Sequence, residues 1–339
     1  MMAVNIANEL ANAGFQSYIC TTRKEGNLKL KIKEDVGYLF LKKKVVLDIK
    51  AFIKLRKFIK ENQISVIHAH SSSYFIAVLI KLTFLKIRII WHDHYGNSEN
   101  LKSRKIFPIK IMSNLFNSII SVNKLLEKWA KQHLKSKKVY VVPNFASLDI
   151  NIPKTTFLKG EEGKKIVCLA NLRPQKDHIN LLKAFVLVHA KSPDWTLHLV
   201  GLDLNDSYST KIKNVITENK IMNSVFLYGS CSDISNILEQ ATIGVLSSKS
   251  EGLPVSLLEY GLAKLAVVVT NVGDCSKVIQ NNVNGLLVEP ANEITLADAI
   301  LKLIGNNELR ISFGTNLYKN IQHNFSKESY ISKLIKIYH

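Results

Sequence analysis

The sequence predicts an α/β protein with two successive domains, each a parallel sheet with helices on both faces. Three observations support this prediction. Short apolar segments rich in β-branched residues alternate with segments of helical periodicity, a pattern typical of parallel sheets. The chain of 339 residues is long enough for two domains of about 150–170 residues. A hydrophobic content of 47% argues against extended disorder.

The first domain is assigned to residues 1–150. It opens on a helix over residues 1–13, which Gly14 ends as a C-cap. Asp48 is placed to cap a helix over residues 48–62. The other elements predicted here are strands 15–21, 64–70, 87–91, 118–122 and 138–142, short extended pieces 39–41 and 45–47, and helices 73–85, 107–117 and 123–134.

No strand precedes the opening helix, whereas a doubly wound domain begins with a strand at the centre of its sheet. An empty central position would expose backbone N–H and C=O groups on two neighbouring strands, or force these strands to pair directly. Either outcome would weaken the domain. We therefore expect about 15–25 further residues upstream in the functional protein, enough for one strand and a glycine-containing turn.

The second domain is assigned to residues 151–322, and residues 323–339 to a C-terminal helix. Pro143 and Asn144 begin a stretch, ending near Gly163, that has little helix or strand pattern. We interpret it as the linker between the domains. The predicted strands are 165–170, 196–201, 225–228, 241–246, 265–270 and 285–288, and the predicted helices are 178–191, 209–218, 233–240, 294–303, 308–320 and 326–338.

The positive charge is concentrated in the first domain. Residues 1–150 hold 26 Lys and Arg against 10 Asp and Glu, whereas residues 151–339 hold 20 against 17. No nucleic-acid-binding motif accompanies this charge, so we predict no nucleic-acid partner and instead an anionic membrane surface. The alternative is a solvated lysine-rich surface that reflects coding bias. The predicted contact residues are Lys102, Arg104, Lys105 and Lys110, with Phe107 and Ile111 inserting.

Cysteine spacing and the lack of targeting segments predict the compartment. The four cysteines have no short paired spacing, which favours a reducing compartment and no cysteine zinc site. The N-terminus lacks a signal-peptide pattern, and charges interrupt the longest apolar segment, residues 74–91. We expect a cytoplasmic protein that is peripheral at the inner face of the membrane.

The most informative stretch is residues 247–261, which follows the predicted buried strand 241–246. Pro254 stands where a helix would take its first turn, so Gly252 and Leu253 would present backbone N–H groups to an anion such as a phosphate. Glu251 and Glu259 would lie roughly 10–12 Å apart, wider than a glycosidase acid/base pair. This layout suits a nucleotide sugar, with hydroxyl groups on either side of its phosphates. The alternative is a capped core helix with one solvated glutamate.

The segment from Glu251 through Gly252, Leu253 and Pro254 to Glu259 resembles the Glu-x7-Glu motif of the retaining glycosyltransferases of family 4. The resemblance implies the GT-B fold, in which two Rossmann-like doubly wound domains face a central cleft and the last helix crosses back to the first domain. It also implies that Glu251 holds the donor sugar and Glu259 the ribose.

Arg173 and Lys176 follow the first strand of the second domain and should border the same crevice as the Glu251 turn. Two fixed cations could stabilise the negative charge of a departing nucleoside diphosphate. The resemblance assigns an Arg and a Lys to this role at this place. The sequence contains no Asp-x-Asp motif, so we expect no required metal and no cofactor besides the nucleotide-sugar substrate.

Four histidines end two predicted strands: His68 and His70 on one, His92 and His94 on the next. Alternate strand residues share a face, so each pair could be half of a metal site, but no third ligand motif supports zinc. We therefore interpret His68 and His70 as structural. The resemblance implies that a histidine at the second strand end contacts the donor sugar, and His92 fits better than His94.

The resemblance implies a glycosyltransferase that moves a sugar from a nucleotide-sugar donor to a glycan or lipid-linked acceptor, with retention, in cell-surface polysaccharide synthesis. The family is thought to use front-face attack, so no protein general base is required. The first strand and glycine-rich loop of the family have no counterpart in this sequence. Two alternatives remain: a non-catalytic or truncated nucleotide-sugar-binding paralogue, and a sugar phosphorylase or nucleotide-sugar epimerase.

Overall fold

The computed structural model describes residues 2–95, 101–149 and 151–339, in two compact units. The first unit contains Met1–Asn144 together with Lys327–His339, and the second contains Phe145–Ser326. The chain enters the second unit before the expected boundary because Phe145 is fully buried and Ala146 packs in the core of that unit. Ile150, at the expected boundary, lies outside the described residues.

The first unit alternates helices and parallel strands. Its elements before the second unit are α1 (Met2–Asn12), β1 (Ser17–Thr21), β2 (Val36–Phe40), α2 (Ile49–Glu61), β3 (Val66–His70), α3 (Tyr74–Thr83), β4 (Arg88–Asp93), α4 (Ile109–Met112), β5 (Ser118–Ser121), α5 (Lys124–His133) and β6 (Val139–Val141). The predicted cap of α2 is confirmed, because the backbone N–H of Ala51 donates to the Asp48 carboxylate at 3.1 Å.

Two predicted elements of the first unit are wrong. Residues 45–47 form no strand, and their side chains are 57–66% exposed, so these apolar residues lack the sheet partner that an extended conformation needs. The helix expected over residues 107–117 is reduced to the single turn of α4. Pro108 precedes that turn and a 3₁₀ turn at Ser113–Leu115 ends it.

The described strands of the first unit lie in two separate parallel sheets. One consists of β1 and β2, and the other has the order β3-β4-β5-β6. The register aligns His68 with Ile90 and His70 with His92. Within the described residues β1 and β3 each have one strand partner and do not pair with each other. We expected that an empty central position would either expose backbone groups on two neighbouring strands or make these strands pair directly. Direct pairing of β1 with β3 is not observed, and the expected upstream strand stays a prediction.

The second unit has one continuous sheet. Its elements are β7 (Lys165–Leu169), α6 (His178–Lys191), β8 (Thr196–Val200), α7 (Ser207–Glu218), β9 (Val225–Gly229), α8 (Ile234–Gln240), β10 (Ile243–Leu246), α9 (Val255–Leu262), β11 (Ala266–Thr270), α10 (Cys275–Val278), β12 (Leu286–Val288), α11 (Glu293–Ile304) and α12 (Asn307–Asn324). The strand order is β12-β11-β10-β7-β8-β9, all parallel.

Helices cover both faces of this sheet. Ile166 and Cys168 of β7 pack in a core with α6, α7 and α11, whereas Val167 and Leu169 pack in a second core with α8, α9 and α12. Successive strand residues point to opposite faces, so both sets are buried. The predicted doubly wound architecture is confirmed for this unit.

The C-terminal helix, α13 (Lys327–Tyr338), belongs to the first unit, as predicted. The Arg88 guanidinium donates to the carbonyl oxygen of Tyr338 and, at 2.8 Å, to that of His339. Lys327 forms an ion pair with Glu9 of α1 at 3.4 Å. In the part of the chain that the structure describes, no helix is both long and apolar enough to span a lipid bilayer.

Candidate functional site

The candidate site of the second unit lies where the strand order reverses. From β7 the chain proceeds to β8 and β9 on one side, and then returns to place β10, β11 and β12 on the other. β7 and β10 pair directly, with Ile166 opposite Ile243. In open α/β sheets, ligands bind at the carboxyl ends of the two strands that flank such a reversal. The turns after β7 and β10 carry residues that were predicted from the sequence to bind the donor.

These two turns are hydrogen-bonded to each other. The backbone N–H of Lys249 donates to the carbonyl of Gln175 at 2.8 Å, and the Ser247 hydroxyl donates to the carbonyl of Lys176 at 3.0 Å. Lys249 also forms an ion pair with Asp177 at 3.1 Å. Arg173 and Lys176 are therefore held beside the Glu251 turn, as expected.

Lys176 and Glu251 form an ion pair in which Nζ lies 2.5 Å from Oε1. The side chains are only 18% and 7% exposed, and the Ser248 hydroxyl donates to the same oxygen at 2.7 Å. A largely desolvated pair of this kind needs further polar contacts to offset its lost hydration. The structure thus joins two residues that the sequence placed in separate roles, a phosphate contact and a sugar contact.

Gly273 fixes the path of the Glu251 turn. It adopts a positive φ of +56°, and a Cβ atom there would lie 2.1 Å from the carbonyl oxygen of Glu251. The next backbone N–H, of Asp274, donates to the carbonyl of Gly252 at 2.8 Å. Only glycine permits this close approach. Gly273 was not predicted from the sequence, although a glycine shortly after a buried strand was a usable signal.

Helix α9 begins at Val255, with Pro254 as its N-cap rather than in its first turn. Glu259, in the second turn, is buried. Its neighbour Tyr260 anchors the helix to the sheet, because the backbone N–H of Leu169 donates to the Tyr260 hydroxyl at 2.7 Å. Gly244 leaves room for the ring, since a Cβ there would meet it at 2.8 Å. Tyr260 was not predicted from the sequence.

Arg173 is exposed and extended, directly before the 3₁₀ turn Pro174–Lys176. Its guanidinium is therefore accessible to a ligand at the same sheet edge as Lys176 and Glu251. The site offers cations, a helix N-terminus and two buried carboxylates within one unit, a combination suited to an anion that carries hydroxyl groups.

The four strand-end histidines of the first unit form one cluster. His68 Nε2 lies 3.1 Å from His92 Nδ1, His70 Nδ1 lies 2.9 Å from His94 Nε2, and His68 Nδ1 lies 2.7 Å from the Tyr338 hydroxyl. Burial lowers the pKa of His68 to about 3 and that of His94 to about 4, and it also lowers the pKa values of His70 and His92. At neutral pH all four rings are uncharged. The sequence identified the two pairs but not their contact.

The basic segment predicted to bind membrane is only partly accessible. Arg104 is paired with the buried Asp93 at 2.7 Å, and its guanidinium lies 3.9 Å from the ring centroid of Trp129. With 10% side-chain exposure, Arg104 is not available to lipid, so its assignment as a membrane contact is wrong. The other predicted contacts, Lys102, Lys105, Phe107, Lys110 and Ile111, are exposed.

Two family models match consecutive parts of the chain. The model described as glycosyl transferases group 1 matches residues 149–320, and the model described as Glycosyltransferase Family 4 matches residues 1–150. The first match covers more than half of the 339 residues and includes the whole candidate site of the second unit.

Among curated relatives, the poly(ribitol-phosphate) alpha-N-acetylglucosaminyltransferase of Staphylococcus aureus is 26% identical over 254 residues, covering 74% of this chain and 50% of that protein. This chain thus spans about half the length of that relative. The Escherichia coli UDP-Gal:alpha-D-GlcNAc-diphosphoundecaprenol alpha-1,3-galactosyltransferase is 24% identical over 318 residues, covering 87% of this chain and 80% of that protein.

Solved structures share the fold. A variant of S. aureus TarM bound to fondaparinux, alpha-GlcNAc-glycerol and UDP has a TM-score of 0.76 at 17% identity and covers 100% of this chain and 96% of its own. Anabaena HepE in complex with UDP-glucose has a TM-score of 0.79 at 16% identity and covers 98% and 93%. The chain therefore has the GT-B fold.

Proposed function

Because this chain belongs to the group 1 glycosyl transferases, we propose that it transfers a sugar from a nucleotide-sugar donor to a glycan or lipid-linked acceptor in cell-surface polysaccharide synthesis. The observation that carries this proposal is the Lys176–Glu251 pair, held at the sheet reversal beside the start of α9. Fixed charges of both signs at such an edge suit a ligand with phosphates in its middle and hydroxyl groups at its ends.

Each site residue has a role in this proposal. The donor phosphates lie at the N-terminus of α9, near the backbone of Gly252 and Leu253, because the helix dipole favours anions there. Arg173 and Lys176 stabilise the negative charge that develops on the leaving nucleoside diphosphate. Buried Glu259 accepts hydrogen bonds from the ribose hydroxyls.

Glu251 positions the donor sugar and does not attack it. Its carboxylate is held in place by the ion pair with Lys176, and carboxylate oxygens accept hydrogen bonds from sugar hydroxyls. The transfer then proceeds on the front face of the sugar, with retention of configuration, and a phosphate oxygen of the leaving group takes the acceptor proton. This route uses no protein nucleophile and requires no metal ion.

The histidine that contacts the donor sugar is better assigned to His94 than to His92. His92 is fully buried, with 0% exposure, whereas His94 is half-buried. A side chain without any accessible surface has no route to a substrate hydroxyl unless its neighbours move. The contact of a strand-end histidine with the donor sugar stays a prediction, with His94 as our first choice and His92 as the second.

A UDP-sugar is our first choice of donor, because UDP or a UDP-linked sugar occurs in the name of one curated relative and in the names of several solved structures. We test the site by titrating the full chain with UDP in a calorimeter. Arg173→Ala and Glu259→Ala should each weaken binding by about 1.5–3 kcal/mol, the contribution of one hydrogen bond to a charged group.

The matched control for this titration is Lys213→Ala, which breaks the surface ion pair of Lys213 with Asp203 in the same unit. It should leave UDP affinity unchanged. If Arg173→Ala and Glu259→Ala both bind UDP as tightly as Lys213→Ala, the site assignment is wrong.

The main alternative is a nucleotide-sugar-binding protein without transfer activity. Both proposals expect donor binding, so the discriminating measurement is transfer from a labelled UDP-sugar to a lipid-linked or glycan acceptor. Turnover that disappears in Lys176→Ala supports the transferase. Donor binding with no transfer to any acceptor supports the alternative. Donor consumption without acceptor would instead indicate an epimerase or phosphorylase.

We also propose that the first unit works at the cytoplasmic face of the membrane. Phe107 and Ile111 are 74% and 59% exposed, beside the exposed Lys105 and Lys110. Each cation near an anionic surface contributes about 1 kcal/mol. Binding to anionic vesicles should fall at high salt and on Lys105→Glu, and equal binding to neutral vesicles would contradict this proposal.

A further inference from the structure

The histidine cluster lies on one face of two neighbouring strands. His68 and His70 alternate along β3, and the register places His70 directly opposite His92 on β4. Residues two apart on a strand point to the same side, so these three rings converge. One possible ligand nitrogen from each of His68, His70 and His92 lies within 4.8 Å of the other two.

The spacing of these nitrogens approaches that of a metal site. Zinc binds histidine nitrogen at about 2.0–2.1 Å, so two nitrogens on one tetrahedral ion lie about 3.3 Å apart. His68 Nε2 and His92 Nδ1 already lie 3.1 Å apart. Side-chain rotations that bring the third nitrogen closer by about 1–1.5 Å would complete a three-histidine set with this geometry.

One ring nitrogen of the cluster has no hydrogen-bond partner among the described residues. His92 is 0% exposed, and its Nε2 atom has neither solvent contact nor a hydrogen-bond partner among the described residues. Buried polar atoms are nearly always paired, and an unpaired one is a common sign of an absent ion or water. This atom is not the His92 nitrogen that faces His68, so the described residues satisfy only one of the two ring nitrogens of His92.

A second contact has the form found around metal-bound histidines. A ligating histidine usually donates its other ring N–H to an oxygen atom, which orients the ring. His68 Nδ1 lies 2.7 Å from the Tyr338 hydroxyl on α13. If Nε2 of His68 faces the ion, Nδ1 is free to make this contact.

We propose that His68, His70 and His92 bind one divalent transition-metal ion of the zinc type, which holds β3, β4 and α13 together. Nitrogen donors without carboxylates suit Zn²⁺, Co²⁺ or Ni²⁺ rather than Mg²⁺ or Ca²⁺. The ion is structural and takes no part in the proposed sugar transfer: Arg173, Lys176, Glu251 and Glu259 lie in the second unit. His94, the histidine proposed to contact the donor sugar, is not one of the three metal ligands.

To test this proposal, the full chain is stripped of metal with a chelator and titrated with Co²⁺, whose visible absorption reports nitrogen coordination. The bound Co²⁺ is then displaced with Zn²⁺. We expect one equivalent of Co²⁺, intense bands of a tetrahedral site, and a higher melting temperature with either metal. His70→Gln should abolish the bands. Tyr338→Phe, which keeps all three ligands but removes the oxygen that orients His68, should weaken metal binding about 10-fold or more.

The matched control is His133→Gln, because His133 lies on α5 and contacts the carbonyl of Trp129 rather than the cluster. It should bind Co²⁺ like the unmodified chain. Far-UV circular dichroism of the stripped variants separates lost ligands from lost folding. No stoichiometric Co²⁺ binding by the unmodified chain, or equal binding by folded His70→Gln and His133→Gln, would overturn the proposal. Neither readout depends on transferase activity, so the two proposals can fail separately.

Discussion

The two units use the same local elements but differ in how their strands associate. In the second unit six strands form one continuous parallel sheet, whereas the described strands of the first unit form a pair and a separate group of four. The difference shows that helix and strand periodicity alone does not ensure a continuous sheet.

The two units also differ in how their polar groups are held. In the second unit, a backbone hydrogen bond from Lys249, together with the Ser247 hydroxyl and the ion pair of Lys249 with Asp177, places Lys176 beside Glu251. In the first unit, the ends of β3 and β4 are held by side-chain contacts, namely the histidine cluster and the ion pair of Arg104 with Asp93. We therefore expect the first unit to depend more strongly on single side chains, and four predictions test this comparison.

The largest effect is expected from Arg104→Met in the first unit. It would leave the Asp93 carboxylate, which is 2% exposed, without its cation, and breaking a buried pair costs about 3–5 kcal/mol. Urea denaturation followed by peptide-resolved hydrogen exchange would locate the loss in residues 2–144. The control combines Arg104→Met with Asp93→Asn and should recover part of the stability. An equally unstable double variant would show that the buried charge is not the cause.

In the second unit, Gly273→Ala should cost about 2–4 kcal/mol, because it adds left-handed backbone strain to a clash with the Glu251 carbonyl. Gly229 is a matched control with a φ of +66° and no atom near its missing Cβ. Gly229→Ala should therefore cost only the strain, about 1–2 kcal/mol. Equal losses, measured by urea denaturation, would mean that the turn can relax around Gly273.

Acid should destabilise the second unit through His178 and His198. Burial lowers the pKa of each to about 4, whereas an unfolded histidine titrates near 6.5. As the pH falls between these values, only the unfolded chain binds protons, so stability is lost by up to about 3 kcal/mol per histidine. His198→Gln should roughly halve the pH dependence of hydrogen exchange in residues 165–304. An unchanged slope would contradict this explanation.

The smallest effect is expected from two matched helix caps. Asp48 accepts from the backbone N–H of Ala51 in the first unit, and Asp206 accepts from those of Tyr208 and Ser209 in the second. Asp48→Ala and Asp206→Ala should each cost about 1 kcal/mol in thermal or urea denaturation. If Asp48→Ala lowers the free energy of unfolding several times more than Asp206→Ala does, the first unit is more sensitive than the second even to a local change.

Much of the fold followed from the sequence because local patterns report local structure. The helix over residues 48–62 was predicted from its cap, and the helices and strands around Glu251 from their apolar periods. The failures at residues 45–47 and 107–117 have a common reason. An apolar run forms a strand or a long helix only if the rest of the fold supplies a surface to bury it.

The sequence by itself determined the α/β class, the turn that carries Glu251 and Glu259, and the placement of histidines at two strand ends. The tertiary structure decided which of these residues touch one another. Strand order joined Lys176 to Glu251, strand register brought His70 opposite His92, and packing buried Arg104 against Trp129. The physical reason is that periodicity is a property of one segment, whereas register and neighbourhood depend on contacts between segments far apart in the chain.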